Sequence, residues 1–93
     1  CAKAAAQGNA DAMYLLGTMC YRGLGVEQDY GKAVNWYEMA AIKEHPAALY
    51  DLGVCHYYGQ GVPKNRDKAI ELWRLSAEQD FEDAVRALKD LDR

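Results

Sequence analysis

The sequence predicts an all-α fold built from two stacked helix pairs, and two observations carry that prediction. The first is internal identity at a spacing of 36 residues: Ala12, Tyr14, Leu16, Gly17, Tyr21, Gly23, Gly25, Val26, Lys32 and Ala33 reappear as Ala48, Tyr50, Leu52, Gly53, Tyr57, Gly59, Gly61, Val62, Lys68 and Ala69, and Ala4-Ala5 as Ala40-Ala41. A fixed period in this range marks units that bury their apolar faces only against their neighbours. The second is helical apolar periodicity, uninterrupted between two glycine loops. Five helices and no strand are expected.

In the first helix, from about Asn9 to Arg22, Ala12, Met13, Leu16, Met19 and Cys20 follow the i, i+3, i+4, i+7, i+8 spacing of one face, with Leu16 at its centre. Gly23 suits the left-handed position that closes a helix, and Gly25 keeps the loop through Gln28 tight. Asp29 is the expected N-cap of a second helix reaching about Lys43, with Ala33, Trp36, Tyr37, Ala40 and Ala41 on its inner face. The order then returns. Pro46 fits the first turn of a helix ending near Tyr58, with Ala48, Leu49, Leu52, Cys55 and His56 inward. Gly59 to Lys64 form the matching loop, Asn65 is the next cap, and Ala69, Leu72, Trp73, Ser76 and Ala77 carry a fourth helix to about Gln79. Gly17 and Gly53 each cost a helix about 1 kcal/mol relative to alanine, so close approach of the partner helix is expected there.

At the carboxyl end Ala77, Ala84 and Leu88 keep the period, but Lys89 replaces the packing glycine and Asp80, Glu82, Asp83, Asp90 and Asp92 make the segment acidic. The expected organisation is one repeat domain over 1–93: the tail of a preceding helix at 1–8, repeat one at 9–43, repeat two at 44–79 and a capping helix at 80–93. A chain that opens on Cys1 in mid-unit reads as a fragment or a processed form.

A net charge of -3 lacks the basic face that nucleic acid requires. The apolar stretches fall far short of the ~20 residues that span a bilayer, so no direct membrane insertion is expected, and no targeting segment is recognised. The odd set Cys1, Cys20 and Cys55 breaks the repeat spacing and encodes no regular disulfide pattern, leaving the compartment unassigned.

The pattern Ala-x-x-x-Leu-Gly, a Tyr four residues on, Gly-x-Gly-Val, an Asp or Asn, Lys-Ala and a closing Ala-Ala resembles the Sel-1-like repeat, a relative of the tetratricopeptide repeat, over essentially the whole chain. The resemblance implies a right-handed α/α superhelix acting as an adaptor in protein–protein assembly. Cysteine-rich members of that family carry a Cys pair in each repeat; here Ala41 and Ala77 stand where such a Cys is expected.

The resemblance further implies that first helices line the concave surface. With Leu16 at the centre of the buried face, a ~100° turn per residue points Asp11, Tyr14, Leu15, Thr18, Tyr21 and Arg22 away from it. The second unit offers Ala47, Tyr50, Asp51, Val54, Tyr57 and Tyr58, and the terminal helix Asp83, Arg86, Ala87 and Asp90. The recurring tyrosines serve packing or contact; Leu15, Thr18, Arg22, Asp51, Val54 and Tyr58 differ between units and suit specificity better. Too few cations converge for a carboxylate clamp, so an extended or helical peptide held by aromatic contacts is expected, with Asp11 and Asp51 favouring basic character in it. No cofactor or metal is expected: Cys55-His56 lack ligand spacing, and each Gly-x-Gly-Val follows a helix rather than a strand. A Cys20/His56 pair leaves hydrolysis a remote alternative. The nearer alternative to peptide capture is the end segment of a longer array, serving self-association through its amino-terminal end, or spacing.

Overall fold

The computed structural model describes residues 10–91, which form five helices and no strand: α1 (Ala10–Arg22), α2 (Tyr30–Ile42), α3 (Pro46–Tyr58), α4 (Arg66–Ala77) and α5 (Glu82–Leu91). The expected helical tail over 1–8 lies outside the described residues. The caps act as the sequence implies: the Asp29 carboxylate accepts from the Lys32 amide at 3.1 Å, and the Asn65 side-chain oxygen from Lys68 at 3.0 Å. The cap of α3 is a residue that sequence reasoning passed over, His45, whose Nδ1 accepts from the Ala48 amide at 3.2 Å just ahead of Pro46.

The glycine loops keep the repeat register down to single hydrogen bonds. Leu24 N donates to Met19 O and Asp29 N to Cys20 O; 36 residues on, Gln60 N donates to Cys55 O and Asn65 N to His56 O, all at 2.8–2.9 Å. Gly59 closes α3 in the left-handed region, at a φ of 72°. Gly61 is forced doubly, by a φ of +77° and because a Cβ there would lie 2.6 Å from the Tyr30 carbonyl. The second loop thereby packs against the start of α2.

α1 packs on α2, α2 on α3, α3 on α4 and α4 on α5, giving a body of 42 × 26 × 18 Å. The core runs along this stack through Ala33, Val34, Tyr37, Leu49, Leu52, Cys55 and Leu72. The two intrahelical glycines are seats for an aromatic ring from the paired helix. A Cβ on Gly17 would lie 2.8 Å from the Tyr37 ring, and one on Gly53 2.6 Å from the Trp73 indole. One expectation fails: Leu16 is 40% exposed, whereas its counterpart Leu52 is 4% exposed. Leu52 is enclosed because α3 has a helix packed closely on either side, α2 and α4, whereas among the described residues the close packing of α1 is on α2.

Candidate protein-binding face

α1, α3 and α5 present one face, and a repeated aromatic frame organises it. In unit one, Tyr14 and Tyr21 bracket Tyr37 with ring centroids 5.7 and 6.4 Å away; in unit two, Tyr50 and Tyr57 bracket Trp73 at 6.1 and 5.2 Å. The outer neighbour repeats too, since Tyr14 stacks on His45 at 5.1 Å as Tyr50 meets Phe81 at 5.7 Å. Three polar tips of the frame are hydrogen-bonded: the Trp73 indole N–H donates to Tyr50 O at 3.1 Å, the Tyr37 and Thr18 hydroxyls pair at 3.2 Å, and the Tyr21 hydroxyl donates to Gln60 at 2.6 Å. Tyr14, Tyr21, Tyr50 and Tyr57 are therefore half-buried framework residues that offer their edges rather than whole rings.

The remaining expected residues divide by environment. Leu15, 59% exposed, and Tyr58, 66% exposed, project freely, and Arg22 is exposed. Asp11 is exposed but engaged, bonded to His45 Nε2 at 2.5 Å. Because His45 Nδ1 is the cap acceptor, Nε2 carries the proton that it donates to Asp11. Asp51, expected to be exposed, is half-buried between α1 and α3; burial lifts its carboxyl above the ordinary 3.8, while the Tyr14 hydroxyl and Arg22 pull it back. Burial, then the charge of Asp51, push the Tyr14 phenol up to about 12.

Two grooves cross this face. A small one of about 80 Å³ lies between α1 and α3, where Thr18, Arg22, Asp51 and Val54 surround the tyrosine edges. A larger one of about 350 Å³ lies between α3 and α5, with Val54, Tyr57 and Tyr58 on one wall and Asp83, Arg86 and Asp90 on the other. Val54 lines both, so they meet at its side chain. The opposite surface holds a feature that sequence reasoning missed, a more apolar groove of about 660 Å³ between α2 and α4. Met39 and Leu75 rim it at 44% and 42% exposure, with Ile42 at 82%, over a floor that includes Leu52, His56 and Leu72. Met39, Ile42 and Leu75 fall off the inward stripe of their helices, which was the legible signal.

Burial pushes the Cys55 thiol up to about 12, so it is not a thiolate at neutral pH. Cys20 and Cys55 are both free. No group of three or more His, Cys, Asp or Glu among the described residues is placed to hold a metal ion, and no described helix is long and apolar enough to cross a membrane.

Stacked helix pairs with an aromatic-framed face of first helices define an α/α repeat solenoid. The Sel1 repeat family model matches residues 10–45 and 46–81, and the chain belongs to that family. It is similar to a protective antigen of uropathogenic Escherichia coli strains displaying an SLR fold, with 40% identity and a TM-score of 0.89 over 94% of this chain. A Sel1 repeat protein from Oxalobacter formigenes matches with 37% identity and a TM-score of 0.82 over 85%, and Helicobacter pylori cysteine rich protein B with 27% and 0.84 over 92%. The chain spans 19%, 32% and 65% of those three chains, respectively. Sel1 repeat proteins are in general protein–protein interaction scaffolds, typically without catalytic activity.

Proposed function

We propose that this chain is a non-catalytic scaffold whose concave face, lined by α1, α3 and α5, captures a peptide segment of a partner protein. The observation that carries the reading is the pair of grooves meeting at Val54. The aromatic frame beneath them repeats, while the residues at the surface change from unit to unit: Thr18 against Val54, Arg22 against Tyr58, Leu15 against Asp51. A constant support with variable contacts is what recognition of one extended segment requires, and the exposed Tyr58 is the aromatic anchor.

The test is selection of binders from a displayed random-peptide library, followed by affinity measurements on variants. Val54→Lys, a long cation placed where both grooves meet, and Tyr58→Ala should each abolish or strongly weaken capture. Reversing charge at Glu38 and Glu71 on the second helices should leave it intact. Loss at Glu38 with retention in the Val54 variant would move the ligand to the groove between α2 and α4. Concentration-dependent dimerisation without peptide capture would support the self-association reading instead.

A further inference from the structure

Resting on the concave-face reading, we propose that the groove between α3 and α5 is a specificity pocket for a basic side chain, a Lys or Arg of the captured peptide, with Asp83 and Asp90 as its charge partners and Tyr58 as its aromatic wall.

The argument begins with which acids of this face are free. Asp11, though exposed, is hydrogen-bonded to His45, and Asp51 is half-buried against Tyr14 and Arg22, so the two carboxylates expected to favour a basic ligand already have partners within the protein. Asp83 and Asp90 are exposed, stand seven residues apart on one face of α5, and have no side-chain partner among the described residues. The one cation lining the groove, Arg86, is drawn to Glu82 at 2.9 Å. Among the described residues the groove and its rim therefore carry more negative than positive charge. Burial raises both the Tyr50 phenol and the Asp51 carboxyl, and the charge of Asp83 adds to each.

The opposite wall suits the stem and head of a basic residue. Tyr57, Tyr58 and Val54 offer ring and methyl surface along which an aliphatic stem lies while its charged head reaches the carboxylates. The same cluster already holds a cation elsewhere: the Arg66 guanidinium sits 5.4 Å from the centre of the Tyr57 ring. Tyr58, meeting Tyr57 edge-on at 5.0 Å, keeps a ring open to a second one. An acidic side chain would meet like charge here, and a purely apolar one would leave the carboxylates without a partner.

The probes are peptides selected from the random library, each resynthesised with its basic residue replaced by norleucine, which keeps the stem and removes the charge. Selected peptides should carry a Lys or Arg, and the norleucine forms should bind the wild-type chain about five- to tenfold more weakly. In the Asp83→Asn/Asp90→Asn chain that preference should shrink to less than about twofold, and added salt should erode it in the wild type. Asp90→Lys should reverse it in favour of a Glu-substituted peptide. Selected peptides without a basic residue, or an unchanged preference in the double Asn chain, overturn the pocket. If Val54→Lys still abolishes binding in that case, the concave-face reading stands and the basic-residue assignment alone falls. If Val54→Lys has no effect, both fall.

Discussion

Replacing Gly53 by alanine tests the aromatic seat directly. On an open helix surface the change would stabilise by about 1 kcal/mol. Here the added methyl lies 2.6 Å from Trp73 Cδ1 and Nε1 and 3.1 Å from the Ala69 carbonyl. The indole has nowhere to go, being 5% exposed, stacked against Tyr57 and hydrogen-bonded to Tyr50 O. Overpacking costs about 1–3 kcal/mol and a strained indole bond about 1 more, so after the propensity gain the net loss is about 1–3 kcal/mol. Urea titration followed by tryptophan emission measures it, with a fall in Tm of about 4–8 °C per kcal/mol in a domain of this size. In a Trp73→Leu background the close contact with the indole is gone and the same substitution should cost little. Gly17→Ala should cost less than Gly53→Ala, its contacts being 2.8 Å to the Tyr37 ring and 3.2 Å to Ala33 O. Lys89→Leu, on the exposed side of α5, should stay within about 0.5 kcal/mol. Gly53→Ala matching or exceeding wild-type stability, or adding independently to Trp73→Leu, would refute the reasoning.

Glu44 and Asp80, equivalent positions after α2 and α4, are non-glycine residues in the left-handed region at φ 61° and 62°; each changed to Gly should gain about 1 kcal/mol by thermal unfolding. The pH dependence has two opposed contributions. Burial lifts the Asp51 carboxyl above the unfolded 3.8, so its ionisation weakens the fold above the folded value and that penalty disappears as pH falls toward 3.8; Asp51→Asn should be more stable than wild type at pH 7, with the gap closing in acid. Burial, aided by Lys68, lowers His56 below the unfolded 6.5, and its Nδ1 is buried without a partner, so stability is lost as pH falls through 6.5; His56→Gln should flatten that limb. Equal pH profiles for wild type and variant would refute either assignment.

Helices, caps and loops were legible because their signals are local. Asp29 and Asn65 cap from their own sequence neighbourhood, and Gly59 and Gly61 sit where only glycine is comfortable. What escaped depends on contacts between distant segments. His45 is not a residue type expected to cap, and it does so while bonded to Asp11 from another helix. The burial of Asp51 needs α1 laid beside α3, and the exposure of Leu16 reflects how few described residues pack over that side of α1. Helical geometry chose the direction of each candidate contact residue, but not whether a neighbour already occupied it. That distinction leaves Asp83 and Asp90, rather than Asp11 and Asp51, as the carboxylates of the face without a side-chain partner among the described residues.

The substitution of Tyr37 by Trp73 between otherwise matching brackets gives the two repeats different optical properties. Tyr50 and Tyr57, 6.1 and 5.2 Å from the indole, are close enough to pass their excitation to it, whereas Tyr14 and Tyr21 face another phenol. With only two tryptophans in the chain, Trp36→Phe leaves Trp73 as the sole indole emitter. Tyrosine-sensitised indole emission is then weighted toward the second repeat, and residual tyrosine emission toward the first. One molecule carries the labels needed to learn whether its repeats melt together or one after the other.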